Sequence, residues 1–564
     1  MNTHPKNHSC SASFSVLTVA FLAGASLLVL AAVLSWTTSN TRFTQRQNQF
    51  LGSVTAAEAA TEKIITRMSK DYLATSEPAV YSSLSTYRLL LPTGDSVGTG
   101  FEFSDAQGNV NRLYVERLAS LSFTPLQTKL SGVSGNAATY RIIANARELN
   151  TTYNSIGAVR QDVQIASVPV FQYLVFYHLD MELSPWSSST YNGPVHCNSF
   201  AYLAPDSCTL TLQAPVTSAR QIIHGPSPND PTTRSPGTVT YKAGRDMRVN
   251  SLNLPVGTTN TSSILHGIIE IPPAAESTNS LMGVQRYYNK ADLIVLVSNN
   301  TVVARSGAYN NFSVTVPWTN INPFLKTNAS FYDRRASLTV KATEIEIDDF
   351  ISEYATLTTL LGRNPKILYV ADLRTQSAGT ISGVRLINGQ TLPSAGLTVA
   401  TLNPIYIKGH YNAPSGTGTT NTSSSAPASI VADAITVLSG NWDDANSTLD
   451  LSSRTANSTT FNLGVIAGIV PSGGGYYSGG VPNFLHLLED WSSRTLTFNG
   501  SMVALYPSQI ATAPWGSSDV YNAPTRKLSL DWNFKIQAKL PPGTPELKTL
   551  IRSEWVMIQP NAIQ

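Results

Sequence analysis

The sequence predicts a mainly β protein that carries one long N-terminal α-helix. An uncharged apolar stretch runs from Phe14 to Trp36. A second stretch, from Arg42 to Leu73, has no proline and repeats apolar or small residues with helical spacing. After Pro78 the pattern changes to short alternating runs separated by glycine and asparagine, which is typical of β-strands. We therefore expect a transmembrane and amphipathic helix followed by a β-rich head, built as a β-solenoid or as a β-sandwich.

The composition favours an exported β-rich protein. The chain has 564 residues, of which 42% are hydrophobic and 13% are charged. The charged fraction is about half of the usual ~25%, and uncharged polar residues take its place. The formal net charge is +3, and the sequence has no basic tract that could neutralise phosphates. Nucleic acid is therefore not expected as a partner.

The apolar stretch is long enough to cross a membrane. The segment bounded by Phe14 and Trp36 would cover a hydrocarbon core of ~30 Å at about 1.5 Å per residue. Trp36 would then lie at the membrane interface, where aromatic residues are common. A cleavable signal peptide is the alternative, although its apolar region usually has only ~7–15 residues. We expect a retained membrane anchor with Phe14 and Trp36 at its ends.

The charges that flank this anchor are nearly balanced. Lys6 precedes the span, and Arg42 and Arg46 follow it, so the positive-inside rule gives little guidance. The chain that follows is β-rich and contains a pair of cysteines, which favours an oxidising compartment. We expect a single-pass protein of the bacterial inner membrane with the bulk of the chain periplasmic or extracellular.

The anchor is expected to continue into a helical stalk. Residues 56–60 read AAEAA and have high helix propensity. If the two stretches form one helix, it extends on the order of 90 Å. Ala20 and Gly24 form a small-xxx-small pair that would let another helix approach closely in lipid. Ordinary transmembrane composition is the alternative explanation of that pair.

Changes of pattern divide the chain into eight predicted segments. They are a cytoplasmic leader (1–13), a transmembrane helix (14–36), an amphipathic stalk (37–77), a small β-domain (78–165), a β-rich segment (166–275), a mixed α/β segment (276–360), a solenoid-like β-rich segment (361–540) and a C-terminal tail (541–564). Within the mixed segment, 291–297 should be a buried strand paired in a hairpin with 301–304, and 348–361 should be a helix. Residues 412–427 and 471–480 are expected to be long loops.

Two of the three cysteines could form a disulfide. Cys197 and Cys208 lie close together in a segment rich in turn-forming residues, and an oxidising compartment would allow them to pair. Two buried free thiols are the alternative. Cys10 precedes the apolar stretch and therefore cannot be a lipoprotein cysteine. The sequence has no CxxC pair, and no metal site is expected.

Acidic residues in two kinds of pattern are the candidates for chemistry. Three carboxylates alternate, which would place them on one strand face as a cation site or a glycosidase pair; a solvated strand face is the alternative. Two acidic pairs adjoin tryptophans and could bind sugar; a tryptophan that anchors a turn to the core is the alternative. The residues are Glu344, Glu346 and Asp348, then Asp443 and Asp444 with Trp442, and Glu489 and Asp490 with Trp491.

The motifs of common enzyme classes are absent from the sequence. There is no GxSxG, HExxH or GxxxxGK[ST] motif, and no GxGxxG follows a predicted strand. We therefore expect a non-enzymatic protein with no catalytic residue, cofactor or metal ion.

The order of a short polar leader, an apolar span and a helix carrying AAEAA resembles the N-terminal region of PilX-type pilus-assembly proteins. A long apolar helix that continues into a β-rich head is the architecture of type IV pilin-like proteins, and the resemblance covers about 60 residues. Prepilins also carry a glycine before the apolar stretch and a glutamate shortly inside it. Residues 11–18 here read SASFSVLT and contain neither. Processing by prepilin peptidase and assembly through that glutamate are therefore not implied.

Several later segments resemble large, mostly uncharacterised envelope proteins that begin with a PilX-like helix. They include FQYLVFYHLDMEL, RYYNKADLIVLVSNN, GLTVATLNPIYIKGHYN and NFLHLLEDWSSRTLTFNG. The resemblance implies a pilin-like component or assembly factor of a type IV pilus-like system. Its expected partners are the lipid bilayer and other pilin-like proteins. The alternative is a membrane-tethered protein that binds or processes polysaccharide through a β-solenoid.

Overall fold

The computed structural model describes residues 12–94, 98–130, 132–515 and 519–560, so most of the predicted leader lies outside the described residues. The described chain contains six α-helices. They are α1 (Ala12–Ala74), α2 (Glu77–Ser82), α3 (Leu84–Tyr87), α4 (Ser262–His266), α5 (Tyr287–Lys290) and α6 (Ile347–Leu361).

The main regular structure in the remainder of the described chain is β-strand, in agreement with the predicted fold class. The strands are β1 (Phe101–Ser104), β2 (Tyr114–Pro125), β3 (Ser134–Glu148), β4 (Ile156–Pro169), β5 (Val175–Tyr177), β6 (Met181–Leu183), β7 (Ser189–Asn192), β8 (Val195–Cys197), β9 (Ala201–Leu203), β10 (Thr209–Leu212), β11 (Val216–Ser218), β12 (Ile222–His224), β13 (Thr238–Tyr241), β14 (Arg245–Met247), β15 (Leu293–Val297), β16 (Val302–Ser306), β17 (Leu325–Asp333), β18 (Leu338–Glu346), β19 (Ile367–Asp372), β20 (Thr380–Ile387), β21 (Leu397–Ala400), β22 (Ile405–Lys408), β23 (Ala428–Ala432), β24 (Ile435–Leu438), β25 (Thr459–Ala467), β26 (Thr495–Ala504), β27 (Thr525–Ser529) and β28 (Glu546–Met557).

The predicted span and stalk form one continuous helix. Helix α1 has 63 residues, which corresponds to roughly 95 Å at 1.5 Å per residue. It ends at Ala74, and Pro78 lies in the first turn of the next helix, where a missing backbone N–H costs nothing. The prediction that Pro78 follows the end of the long helix is therefore confirmed.

The second half of α1 packs against an antiparallel sheet. The sheet has the order β1-β3-β4-β28, and β2 also pairs with β3. Ala56, Ala57 and Ala60 are fully buried at the contact, and a Cβ atom built on Gly157 of β4 would lie 2.3 Å from the backbone nitrogen of Val54. Small side chains on both elements thus let the helix backbone approach the sheet backbone closely.

Polar bonds fix the position of α1 along this sheet. Gln161 Nε2 of β4 donates to Thr61 Oγ1 at 2.8 Å and to Glu62 Oε1 at 3.0 Å. Arg552 of β28 forms an ion pair with the same Glu62. Because these partners come from three separate parts of the chain, they determine which turn of the helix faces which strand.

The predicted C-terminal tail (541–564) is wrong for most of its length. Residues Glu546–Met557 form β28, which pairs antiparallel with β4 from Glu546 to Met557. Leu547, Leu550 and Ile551 of this strand are buried. The sheet that holds α1 is therefore completed by a segment that follows the whole β-rich head in sequence.

The strands from β5 to β14 form parallel ladders. One ladder contains β5, β8, β11 and β14, a second contains β6, β9 and β12, and a third contains β7, β10 and β13. Consecutive strands along the chain belong to different ladders, so each pass through the three ladders forms one layer of a stack. Val175 pairs with Val195 and Val195 with Val216, which places like residues above one another in the core.

The later strands extend this parallel stack. β15, β19, β21, β23, β25 and β26 form one ladder, and β18, β20, β22 and β24 form another. β26 also pairs with β5, and β27 pairs with both β26 and β7. The first layer after the antiparallel sheet therefore lies on the last layers of the later segment. Such parallel ladders are not the antiparallel pairing of a β-sandwich.

Asparagine side chains form hydrogen bonds with polar groups in the interior of the stack. Asn499 Nδ2 donates to Asn462 Oδ1 at 2.9 Å, and Asn462 Nδ2 donates to the backbone oxygen of Asn412 at 3.0 Å. Phe461 of β25 and Phe498 of β26 are register partners, and both are fully buried. Identical side chains at matching positions thus support adjacent layers, the asparagines through hydrogen bonds and the phenylalanines through burial.

Two local predictions for the middle of the chain are confirmed. β15 is buried and pairs antiparallel with β16, as the predicted hairpin requires. Helix α6 covers Ile347–Leu361, within one residue of the predicted start. Each element has a strong local pattern, a continuous apolar run in the strand and helical periodicity in the helix.

We expect Gly157→Ala to destabilise the fold by about 1–3 kcal/mol, because its methyl group would push β4 away from the α1 backbone. The free energy of unfolding of the full-length protein in detergent micelles, measured by chemical denaturation, checks this. Gly225→Ala is the matched control: a Cβ atom there meets nothing within 4 Å, so its effect should stay within about 1 kcal/mol. Equal stability of the two variants would contradict the close helix–sheet contact.

Candidate functional site

The first half of α1 projects from the head and is uncovered by protein. One helix of the described chain is long and apolar enough to cross a membrane, and none of its most apolar 18-residue window is buried. Phe21 and Leu28 are 81% and 74% exposed, and Trp36 is 68% exposed. A large aliphatic or aromatic side chain loses about 1.5–3 kcal/mol when it stays in water instead of an apolar environment. This uncovered surface is consistent with a single-pass membrane anchor.

The hydroxyl groups at the end of this apolar surface are satisfied within the helix. Hydroxyl groups of Thr37, Thr38 and Thr41 donate to the backbone oxygens one turn earlier, at 2.8, 2.7 and 2.8 Å. Hydroxyls satisfied within their own helix do not need water. The uncovered surface thus extends past Trp36 before charged residues appear.

The helix meets the head at a shallow groove. Phe43 and Phe50 of α1, together with Asn154, Ile156 and Pro560, line a cavity of about 720 Å³. Phe43 is 69% exposed and Phe50 is 39% exposed. Arg46 and Gln47 line the same groove, so these two phenylalanines are apolar positions in an otherwise polar part of α1 that precedes the buried Ser53 and alanines.

The predicted small-residue pair lies on the uncovered helix. A Cβ atom on Gly24 would meet nothing within 4 Å, and Ala20 is exposed one turn earlier. The backbone is therefore accessible to a neighbouring helix at this point. Contact with other pilin-like helices remains a prediction.

Two groups of predicted acidic residues meet around one arginine. Arg385 donates from Nε to Glu344 Oε2 and from Nη1 to Asp444 Oδ1, both at 2.6 Å. Trp442 Nε1 donates to the same oxygen of Asp444 at 2.9 Å, and Trp442 is itself buried. Asp443 accepts a hydrogen bond from a backbone N–H of its own turn. These carboxylates neutralise a buried guanidinium and fix a turn.

The predicted alternation of three carboxylates on one strand face is wrong at its third position. β18 ends at Glu346, and α6 begins at Ile347. Asp348 therefore lies in the first turn of a helix, where a negative charge interacts favourably with the helix dipole. The change of backbone conformation directs Asp348 away from the strand face of Glu344.

The carboxylates of the second acidic–aromatic pair also accept hydrogen bonds from groups of the chain itself. Glu489 accepts hydrogen bonds from the backbone N–H and the hydroxyl of Ser439, each at 2.6 Å. Burial raises the pKa of Glu489 to about 7. Asp490 accepts from Asn522 Nδ2 at 2.9 Å, and Trp491 is fully buried. The tryptophan thus anchors a turn in the core, as the structural alternative proposed.

The expected disulfide between Cys197 and Cys208 is absent, and both are free thiols. Cys197 is buried at the end of β8, and its sulfur donates to the backbone oxygen of Leu179. Cys208 precedes β10 and donates to the backbone oxygen of Pro185. Because β8 and β10 belong to different ladders of the stack, closeness in sequence does not place the two sulfurs together.

A polar cleft in the head was not indicated by any sequence pattern. It has a volume of about 450 Å³ and is lined by Glu182, Asp180, Ser227 and Ser472, among other residues. The described residues contain no group of three or more histidine, cysteine or acidic side chains suited to a metal ion. The residues that line the cleft come from segments far apart in sequence, and local sequence patterns cannot reveal such a cluster.

Comparisons with known proteins give few matches for this chain. No protein-family model and no curated protein matches it. Among solved structures it is similar to the crystal structure of the competence-associated pilin ComZ from Thermus thermophilus, with 10% identity over 90% of this chain and 98% of that chain. The TM-score of this match is 0.27.

We expect Glu489→Gln to remove a component of the pH dependence of stability. The folded-state pKa of about 7 lies above the ordinary value of 4.5, so the folded state binds the proton more tightly than the unfolded state. The favourable contribution of Glu489 to the free energy of unfolding is complete below about pH 4.5. It is lost as the pH rises to 7, by on the order of 2–3 kcal/mol. Free energies of unfolding of the wild type and the variant at pH 5 and pH 8 give this difference.

Asp490→Asn is the matched control for this measurement. Hydrogen bonds from Ser492 lower the pKa of Asp490 below its ordinary value of 3.8, so its contribution is lost only at a pH more acidic than either measurement. The difference between Asp490→Asn and wild type should therefore be nearly the same at pH 5 and pH 8. A difference for Glu489→Gln that is constant with pH would contradict the buried, protonated carboxyl.

Proposed function

We propose that this chain is a non-enzymatic, membrane-anchored envelope protein, a pilin-like component or assembly factor of a type IV pilus-like system. The observation that carries the proposal is the division of α1 into two halves. One half is apolar and uncovered, and the other is packed on an antiparallel sheet. The proposal places the uncovered half in the bacterial inner membrane and the head on its outer side.

The division of α1 supports a rigid connection between membrane and head. A flexible linker would let the head move independently, whereas a helix without a break transmits its orientation. The buried half is held by apolar contact, by Gln161 and by the ion pair between Glu62 and Arg552. A helix fixed in this way presents its apolar half as a shaft that can pack among other apolar helices.

The composition of the head agrees with a non-cytoplasmic location. Charged residues are sparse in the chain, and the parallel stack carries serine, threonine and asparagine at its turns and in its interior. Free thiols at Cys197 and Cys208 neither require nor oppose an oxidising compartment. Orientation therefore depends on direct measurement of the side on which the head lies.

We expect Leu28→Arg to reduce stable insertion of the protein in the membrane. Leu28 lies near the centre of the uncovered half and is 74% exposed, and an arginine at the centre of a span costs roughly 2.5–3.5 kcal/mol. The fraction of protein that resists alkaline extraction of bacterial membranes measures the effect. Phe43→Arg, beyond the span on the same helix, is the control and should remain in the membrane.

Topology and assembly are tested separately. Protease added to intact spheroplasts should degrade the head if it lies outside the inner membrane, and a protected head would contradict the proposed orientation. Mechanical shearing of cells distinguishes the two roles: a filament component should appear in the sheared fraction, and an assembly factor should remain with the membrane. Wild-type protein that is soluble after cell breakage would contradict the anchor itself.

A further inference from the structure

The polar cleft in the head is built from several separate segments of the chain. Its floor runs from Tyr177 to Glu182 along the first layer of the stack, one wall is the glycine-rich loop 471–480, and another contains Ser227 and Asn229. The volume of about 450 Å³ is within the usual range of ligand sites, roughly 300–1,000 Å³. Hydroxyl, amide and carboxyl groups therefore converge in a space that can hold a small polar ligand.

The glycine-rich wall is held in a defined conformation. Ser472 Oγ donates to Glu182 Oε2 at 2.8 Å, and the backbone N–H of Ser478 donates to Ser472 Oγ at 2.8 Å. Gly480 has a φ angle of +61°, and a Cβ atom there would lie 2.4 Å from the backbone oxygen of Glu182. The loop thus depends on glycine to lie directly on the strand that carries Glu182.

A group of aromatic rings adjoins this wall. Trp186 and Trp515 pack edge to face with ring centroids 5.3 Å apart, and Tyr477 packs against Trp515 at 5.7 Å. The Arg234 guanidinium lies 4.4 Å from the centroid of the Tyr477 ring and is paired with buried Asp230. Trp186 remains 54% exposed. The exposed Trp186 indole is therefore held in place by a second ring and presented to solvent.

The aromatic group and the cleft are continuous. A Cβ atom on Gly479 would lie 2.6 Å from Trp515 Cδ1 and 2.4 Å from Asn483 Cβ, and Asn483 lines the cleft. Asn229 also lines the cleft, and the next residue is the Asp230 that pairs with Arg234. The same two segments therefore support both surfaces.

One buried hydroxyl group in the cleft has no partner in the described chain. Tyr177 lines the cleft and is 1% exposed. Its hydroxyl has no hydrogen-bond partner among the described residues. A buried hydroxyl without a partner costs roughly 1–3 kcal/mol. A ligand or water that supplied the missing bonds would recover part of this energy.

We propose that the cleft and the adjoining aromatic group form a binding site for a neutral oligosaccharide. A pyranose ring has an apolar face that can pack on the Trp186 indole, and its hydroxyl groups can donate to the carboxylates of Glu182 and Asp180. The site is separate from the acidic–tryptophan pairs at 442–444 and 489–491, whose rings are buried. It adds a recognition function to the head that does not depend on how the protein is anchored.

The charges of the cleft exclude other polymers of similar size. Asp180 and Glu182 would repel the phosphates of nucleic acid and the carboxylates of acidic polysaccharides. A neutral sugar avoids this cost because it can donate hydrogen bonds to carboxylates without bringing a like charge.

Binding of the full-length protein in lipid nanodiscs to an array of neutral glycans tests the proposal. The array should include glucan, mannan, galactan and N-acetylhexosamine backbones, and isothermal titration calorimetry should then use the hexasaccharide of the strongest backbone. We expect Trp186→Ala to weaken binding about tenfold or more through loss of the ring surface. Glu182→Gln should weaken it about tenfold, since a charge-assisted hydrogen bond becomes a neutral one while the new amide oxygen still accepts from Ser472.

Trp318→Ala is the matched control, because Trp318 is 48% exposed and does not line the cleft. It should bind as the wild type does. Melting temperatures of all three variants show whether they are folded, and Glu182→Gln retains a test if Trp186→Ala does not fold. The proposal is overturned if no neutral backbone binds at about 1 mM, near the weak limit of specific recognition, or if binding is unchanged in both cleft variants.

Discussion

The close contact between the buried half of α1 and its antiparallel sheet is the constraint on which the rest of the structure depends. Alanines on the helix and Gly157 on β4 bring two backbones together, and this contact holds a helix of 63 residues at one end only. The other end must extend away from the head. Its apolar side chains then have no protein cover, so the environment of that half, rather than further folding, has to bury them.

The same sheet joins the beginning and the end of the head. β4 enters the parallel stack through β5, and β28 returns from the stack to pair with β4. The head therefore starts and finishes beside α1. Its large parallel stack lies between β4 and β28 in the sequence, and these two strands pair with each other in the antiparallel sheet. Strain or movement at the base of the stack would be transmitted to the helix through two neighbouring strands instead of one.

The cleft shows how the parallel stack can bring polar side chains together on its surface. Turns between layers leave the stack at similar positions, and here the turn after β25 and the segment after β12 enclose the floor formed by β5 and β6. A hydrogen bond from Ser472 to Glu182 fixes one wall. Rigid support of this kind lowers the conformational entropy that a ligand has to restrict when it binds.

Features with a strong local pattern could be predicted from the sequence: the apolar span, its continuation as a helix, the end of that helix before Pro78, the β15–β16 hairpin and α6. The sequence by itself determined these because periodicity and the absence of proline act on neighbouring residues. Only the tertiary structure decided that β28 completes the first sheet, that Trp442 and Trp491 are buried while Trp186 is exposed, and that Arg385 gathers Glu344 and Asp444. Pairing between strands hundreds of residues apart brings these groups together, and the burial of a side chain depends on what such distant segments place over it.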